Sequence, residues 1–247
     1  MSRILHTESS NGWGGQEIRI LKEAIGLRER GHEIIFAIQR KGKLVKEAQA
    51  HGFTVYEIDF KKYKIFSVLG KLIKILFRHR IEIVNTHSSS DAWLGGIAAR
   101  IGRCKVIRTR HLSTPIKQGL NSTLLYGKLA DFVVTTSSSI IPMICTQAKI
   151  PEKRCQCIAT GVEPLGVSEE EGLAFRSSWG ILPEHFLVGT VCVVRSWKGI
   201  LDLMKAAHLL REYPLIKWVV VGGGYIDQYK DKINLEGVLT FTGHLPS

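Results

Sequence analysis

Residues 187–200, LVGTVCVVRSWKGI, place two cations between a β-branched apolar run and the start of a helix. Residues 187–194 predict a buried strand, and the apolar spacing over residues 200–210 predicts a helix. Arg195 and Lys198 then lie beside the helix N-terminus, where free N–H groups and the helix dipole favour an anion. The stretch predicts a diphosphate site at a strand end, where open α/β sheets bind ligands. A solvated surface pair is the other interpretation.

A second turn, residues 6–17 (HTESSNGWGGQE), joins a predicted strand to a predicted helix. Gly14 and Gly15 can adopt backbone angles that are closed to other residues, and they leave room for a ligand against the main chain. The spacing lacks the third glycine of the dinucleotide-binding fingerprint. The turn therefore indicates either a phosphate-binding site or a tight glycine turn without a ligand.

Strands and helices alternate along the sequence, which predicts an α/β fold of parallel sheets with helices on both faces. We expect two Rossmann-like domains, residues 1–165 and residues 166–247, of which the second is incomplete. The predicted strands are residues 3–7, 33–38, 54–58, 81–86, 106–110, 132–135, 156–159, 187–194, 217–221 and 238–242. Pro115 and Gly119 predict a mobile loop over residues 112–121.

The composition limits the class of protein. Hydrophobic residues make up 45% and charged residues 23% of the 247 residues, which is ordinary for a globular protein. The five cysteines are odd in number and scattered, which argues against a disulfide framework and fits a reducing cytoplasm. Because neither a signal peptide nor an apolar segment of ~20 residues is present, we expect a soluble or peripheral cytoplasmic protein.

A strongly basic segment accounts for part of the net charge of +12. Between Lys61 and Arg80 the sequence KKYKIFSVLGKLIKILFRHR alternates cations with apolar residues and contains no acid. A helix with this pattern either binds an anionic membrane or packs on a sheet as an ordinary solvated helix, and both interpretations stay open. Since no nucleic-acid-binding signature accompanies the charge, we expect no nucleic-acid partner.

Histidines follow or end several predicted strands. His111 follows residues 106–110, and His87 follows residues 81–86. Either can act as a hydrogen-bond partner or as an acid or base, and either can be structural. His6 is a third strand-end histidine, to which the pattern assigns no role. We expect no metal site, because no carboxylate or cysteine shares a short ligand spacing with these histidines.

Five segments together resemble glycosyltransferase family 4, and they occur in the right order along essentially the whole chain. The most specific are VRSWKG at residues 194–199 and ATGVE at residues 159–163, and the others are GGQE at 14–17, TRH at 109–111 and FTGH at 241–244. The resemblance implies a GT-B fold, in which two Rossmann-like domains face one cleft.

The resemblance also implies an activity: retaining transfer of a sugar from a nucleotide-sugar donor, with no metal and no other cofactor. Gly14 and Gly15 would approach the donor phosphate, and Arg195 and Lys198 would neutralise the leaving diphosphate. His111 would sit beside the reacting centre. The residues implied to face the acceptor are Asn11, His87 and Asp91.

The implied acceptor is a cell-envelope glycan or a lipid-linked glycan, of which lipopolysaccharide is the expected type. Such enzymes attach to the inner face of the cytoplasmic membrane through a basic surface, which favours the membrane interpretation of the segment from Lys61 to Arg80. The family also places two glutamates, seven residues apart, further along than Ser247. We therefore expect a truncated chain with an incomplete donor site. The alternatives are a non-catalytic homologue or partner subunit that binds membrane or glycan, and a nucleotide-sugar epimerase of the same shape.

Overall fold

The computed structural model describes residues 1–112, 114–162, 164 and 166–245, and the chain divides into two compact units, Met1–Val162 and Glu163–Ser247. Three of the sequence predictions include a residue that the structure does not describe. These are Ser113 in the predicted loop, Glu163 in the ATGVE segment and the predicted domain boundary at residue 165.

The first unit is built on a seven-stranded sheet in which every pairing is parallel. Its strands are β1 (Arg3–Glu8), β2 (Glu33–Gln39), β3 (Thr54–Ile58), β4 (Ile83–Thr86), β5 (Lys105–Arg110), β6 (Phe132–Thr135) and β7 (Cys155–Cys157). The spatial order is β3-β2-β1-β4-β5-β6-β7. The order reverses between β1 and β4, and ligands bind at such a switch point because the strand-to-helix loops diverge there.

Helices cover both faces of this sheet. They are α1 (Gly15–Glu29), α2 (Lys43–Ala50), α3 (Ile65–Arg78), α4 (Ser89–Ile101), α5 (Leu120–Ser122), which continues as a π-helix (Thr123–Leu129), and α6 (Ile141–Ala148). One apolar core joins the sheet to α3 and α4, and a second joins it to α1 and α2. Gly95 of α4 lets that helix lie close to the sheet, since a Cβ there would be 3.3 Å from side-chain atoms of Thr7 and Thr86.

The second unit has a three-stranded parallel sheet of order β10-β9-β8. Its strands are β8 (Phe186–Val191), β9 (Ile216–Val221) and β10 (Leu239–Gly243), and its helices are α7 (Glu169–Ser178), α8 (Ile200–Leu209) and α9 (Asp227–Lys230). The core packs Met204 of α8 against Trp218 and Val220 of β9. The predicted alternation of strands and helices is thus confirmed in both units.

Three predicted strands are wrong by more than one residue at one end. The fourth strand begins at Ile83 and not at residue 81, because the amide of Ile81 still bonds to the Leu76 carbonyl of the preceding helix. The seventh spans Cys155–Cys157 and not residues 156–159. The strand predicted to reach residue 194 ends at Val191.

Backbone that follows β9 pairs with the residues after Val191, in place of the predicted end of that strand. Beyond Val191, Val194 forms an isolated bridge with Gly224. Backbone approaches so closely here that a Cβ on Gly222 would lie 2.0 Å from the Cys192 carbonyl oxygen. The φ angle of Gly222 is +131°, which other residues rarely adopt.

No helix among the described residues is both long and apolar enough to cross a bilayer.

Candidate functional site

Three histidines form a diagonal row at the carboxyl edge of the first sheet. His6 of β1 is in register with Asn85 of β4, which is in register with Ile107 of β5. His87 therefore lies two residues beyond the position of its strand that is in register with His6, and His111 lies four residues beyond the corresponding position of β5. Since alternate residues of a strand point to the same face, the three imidazoles come together on one side.

Hydrogen bonds join the three imidazoles into one chain. Nδ1 of His6 lies 3.0 Å from Nε2 of His87, and Nδ1 of His87 lies 3.0 Å from Nε2 of His111. The His6 and His87 rings are nearly parallel, with centroids 5.2 Å apart. Both of these side chains are buried. His6, to which the sequence pattern assigned no role, thus anchors the row.

The row is electrically neutral at pH 7. Burial lowers the pKa of His6 to about 4 and, with Arg19 and Arg108 opposing protonation, lowers the pKa of His111 to about 3. Burial and the neighbouring His6 also hold the pKa of His87 well below its usual value. A neutral imidazole has one N–H, so both hydrogen bonds of the row run in the same direction. The structure therefore favours a hydrogen-bonding role for His111 over that of an acid.

The inner end of the row, Nε2 of His6, is buried without a hydrogen-bond partner among the described residues, and so is the outer end, Nδ1 of His111. If the row runs from His6 outward, this nitrogen carries a proton and donates; if it runs inward, the nitrogen accepts. Either way it offers one directed hydrogen bond to a bound molecule.

Asp91 is buried, in contrast to the expected acceptor-facing position. Its Oδ2 accepts hydrogen bonds from Thr7 Oγ1 and the His87 amide, and its Oδ1 accepts from Ser9 Oγ and the Ser88 amide. The side chain is 0% exposed, so it has no surface to offer a ligand. Its four hydrogen bonds hold the end of β1 and the following loop against the N-terminus of α4.

Glu8 is a functional candidate that the sequence reasoning missed. Its carboxylate accepts hydrogen bonds from the Ser10 amide, Ser88 Oγ and Gln16 Nε2, which belong to three different segments. Burial, with the nearby charge of Asp91, raises the pKa of Glu8 to about 7. Its position as the last residue of β1, beside the point where the strand order reverses, could have identified it as a candidate.

The glycine turn departs from one expectation. Gly14 has φ −163° and ψ −166°, which is ordinary extended backbone, and its amide donates to Glu17 Oε2 at 2.9 Å. Gly15 is the first residue of α1 and does not have a positive φ. Neither glycine therefore uses the backbone angles that are open to glycine alone. The space beside Gly15 is open, and Asn11 is exposed in the same loop.

A small cavity of about 110 Å³ lies between the loops after β1, β4 and β5. The residues that line it include Gln16, His87, Ser88, Arg108, Arg110 and His111. The structure thus brings His87 and His111 together at one cavity. Arg108 and Arg110 also line this cavity, although the sequence analysis assigned neither a role. Two arginines within a largely buried strand were the feature of the sequence that could have indicated them.

In the second unit, Arg195 and Lys198 lie in the connection from β8 to α8. Arg195 is half-buried and its guanidinium lies 4.4 Å from the ring centroid of Tyr225. Lys198 is exposed and ends a 3-10 turn, Ser196–Lys198. Gly199, with φ +69°, is the N-cap residue of α8. Both cations therefore stand beside a helix N-terminus, as predicted.

No group of three or more His, Cys, Asp or Glu side chains within the described ranges has a geometry that could hold a metal ion.

Comparison with known proteins gives a family and a fold. The model of Glycosyltransferase Family 4 matches residues 13–164, more than half of the 247 residues. A search of curated proteins gave no significant match.

Solved structures are similar over the whole chain. Anabaena Alr3699/HepE in complex with UDP-glucose is 19% identical, with a TM-score of 0.80 over 100% of this chain and 70% of that one. A glycosyltransferase from Rickettsia africae is 20% identical, with a TM-score of 0.83 over 99% of this chain and 68% of that one. The lipopolysaccharide outer core galactosyltransferase WaaB, in its apo form, is 14% identical, with a TM-score of 0.65 over 99% and 68%. The fold is therefore of the GT-B type, and the chain belongs to glycosyltransferase family 4.

Proposed function

We propose that this protein is a retaining glycosyltransferase that moves a sugar from a nucleotide-sugar donor to a cell-envelope glycan or lipid-linked acceptor, of the lipopolysaccharide type. Family membership supports sugar transfer over epimerisation. A nucleotide donor is supported by the HepE structures, which contain UDP or UDP-glucose. An envelope acceptor is supported by the similarity to WaaB. Retention is what the family resemblance implies.

The observation that carries the donor assignment is the position of Arg195 and Lys198 beside the start of α8. When the glycosidic bond to the diphosphate breaks, negative charge builds on the leaving group. Fixed cations and helix N–H groups stabilise this charge without having to reorganise. Stacking on Tyr225 holds the Arg195 guanidinium in place, and Lys198 adds a flexible point charge.

We assign His111 a positioning contact with the donor or acceptor sugar. Its pKa of about 3 keeps the ring neutral, so it does not add a cation near the positive charge that develops on the sugar ring. We also propose that the donor phosphate lies against the backbone of Gly14 and Gly15, because the space beside Gly15 is open. Because the chain supplies its own cations for the diphosphate, the proposal includes no metal and no other cofactor.

We also propose that α3 binds the protein to the inner face of the cytoplasmic membrane. Val68, Leu72 and Ile75 of α3 are buried against the sheet, which satisfies the ordinary packing role of the helix. Phe66 is nevertheless 91% exposed, and Phe77 is exposed as well. Apolar side chains exposed among cations are typical of a helix that lies in a lipid interface.

The donor assignment is tested by titrating UDP into the wild-type chain and into the double variant Arg195→Ala, Lys198→Ala, with isothermal calorimetry. We expect UDP binding to weaken by at least tenfold in the double variant, because two charge-assisted contacts are lost. Lys205→Ala is the matched control, since Lys205 is an exposed cation of α8 that pairs with Asp202 at 3.7 Å. Equal UDP affinity in the wild type and the double variant would refute the assignment.

Transfer itself is tested by incubating the chain with UDP-sugars and lipopolysaccharide-type acceptors and reading the anomeric configuration of the product by NMR. Retained configuration supports the proposal, and inverted configuration contradicts it. UDP binding without hydrolysis or transfer of any donor would support either a non-catalytic homologue or the incomplete donor site that is expected of a truncated chain.

Membrane binding is tested by co-sedimentation with vesicles of anionic or neutral lipid. We expect binding only to anionic vesicles, loss of binding at high salt, and weaker binding in Phe66→Ser. Leu209→Ser is the control, because Leu209 is an exposed apolar residue of α8 in the other unit. Binding that ignores lipid charge and salt would refute this part of the proposal.

A further inference from the structure

The cavity beside His111 is too small for a whole sugar nucleotide. At about 110 Å³ it is well below the ~300–1,000 Å³ of pockets that enclose a complete small-molecule ligand. The described residues that line it all belong to the first unit, and none of them carries a carboxylate. Its size and lining suit a single small group.

Two guanidinium groups line this cavity, and the Nε–H of each has no hydrogen-bond partner among the described residues. Arg108 is 4% exposed, and its Nε is buried without a hydrogen-bond partner among the described residues. Its Nη1 donates a weak hydrogen bond to the Thr109 carbonyl at 3.4 Å, and its guanidinium carbon lies 5.9 Å from the centroid of the Tyr126 ring. Nε of Arg110 is likewise buried and unpartnered within the described ranges, while its Nη atoms bond to Tyr126 Oη and to Thr114. A buried guanidinium donor without a partner is costly, which points to a ligand that supplies one.

The nearby acids do not take up the free guanidinium donors. Asp91 interacts electrostatically with Arg108, but both its oxygens are occupied by other donors. Glu8, with a pKa raised to about 7, is partly protonated at neutral pH and bonds to Ser88. The neutral His111 adds one unpartnered ring nitrogen that can donate. Ser88 and Ser89, at the N-terminus of the thirteen-residue helix α4, complete the lining.

We propose that this cavity is an oxyanion subsite, in which Arg108 and Arg110 bind a phosphate group carried by the acceptor. The inference rests on the proposed function for the identity of the acceptor site. Phosphate matches the forked guanidinium donors and the size of the cavity. The leaving diphosphate of the donor is the other source of the same chemistry. The proposed function gives it Arg195 and Lys198 in the second unit and an approach at Gly14 and Gly15, next to the lining residue Gln16, so a second titration has to separate the two sources. A subsite for acceptor phosphate places the acceptor's reacting hydroxyl near His111.

The test is a titration of the wild-type chain with inorganic phosphate at constant ionic strength, followed by the NMR shifts of the Ser88 and Ser89 amides. We expect saturable shifts in the wild type and at least tenfold weaker binding in Arg110→Gln. Arg78→Gln is the matched control, because Arg78 is an exposed arginine that ends α3, at the opposite edge of the sheet. Arg110→Lys keeps the charge and is expected to bind with intermediate affinity. A melting curve of each variant confirms that it is folded.

A second titration separates the two sources of phosphate. If the subsite serves the acceptor, phosphate binds with the same affinity when the protein is saturated with UDP. Competition between UDP and phosphate for the Arg110-dependent site would overturn the acceptor assignment, and so would unchanged phosphate binding in folded Arg110→Gln. The proposed function fails separately, by UDP binding that does not depend on Arg195 and Lys198.

Discussion

Nδ1 of His87 lies 3.0 Å from Nε2 of His111, and the other ring nitrogen of His87 is taken by His6. His87 therefore has no free nitrogen for a substrate, whereas Nδ1 of the cavity-lining His111 has no partner among the described residues. Because the three rings share one hydrogen-bond direction, a change of tautomer at His6 is transmitted to His111. The tautomer of His111, which a substrate would contact, therefore depends on the tautomer of the fully buried His6.

Acid is expected to weaken the first unit through this row. The folded chain keeps His111 neutral down to about pH 3, whereas the unfolded chain protonates it near 6.5. The unfolded state then binds more protons in this range, so this histidine makes stability fall as the pH falls, by about 1.4 kcal/mol per pH unit. We expect His111→Gln to reduce the pH dependence by that amount between pH 6 and 4.

The measurement is urea unfolding of wild type and His111→Gln at several pH values. Equal m-values are the control that the same cooperative unit unfolds throughout. A pH slope that is identical in the two proteins would contradict a depressed pKa.

Glu8 is expected to act in the opposite sense. Its pKa is raised from 4.5 to about 7, so between these values the unfolded chain has lost a proton that the folded chain still holds. Stability from this group is therefore lost as the pH rises through that window, with a slope of about 1.4 kcal/mol per pH unit at most. Glu8→Gln imitates the protonated form and should gain stability relative to wild type from pH 5 to pH 7. Denaturant unfolding at both pH values measures this, and a constant difference between the proteins would rule it out.

Gly222→Ala is expected to disrupt the second unit. The new Cβ would lie 2.0 Å from the Cys192 carbonyl oxygen at a φ of +131°, so the backbone must move, at a cost of about 3 kcal/mol or more. Gly172→Ala is the control, since Gly172 lies within α7 with open space around it and alanine there should stabilise by about 0.5–1 kcal/mol. Thermal unfolding of the two variants compares them, and equal effects would show that the close approach is not needed.

Transfer is expected to survive removal of divalent metals. In the proposed mechanism Arg195 and Lys198 supply the positive charge at the diphosphate, so EDTA should leave the rate unchanged. Added Mg²⁺ or Mn²⁺ should not raise it. A rate that falls with EDTA and recovers with one of these ions would overturn this part of the proposal.

The sequence by itself determined the alternation of strands and helices, the parallel character of the sheets, and the cation pair at the start of α8. These features depend on local periodicity, on caps and on turn residues, all of which act over a few positions along the chain. The resemblance to glycosyltransferase family 4 was also readable, because its motifs are short contiguous runs such as VRSWKG.

Only the tertiary structure decided which of these residues meet. The order β1-β4-β5 places His6 beside His87, although 81 positions separate them, and it turns Asp91 inward. The same non-local pairing ended β8 at Val191, against its apolar continuation, because the glycines after β9 bring other backbone to Val194. Strand order and burial depend on the free energy of the whole packed sheet, which no local stretch of sequence encodes.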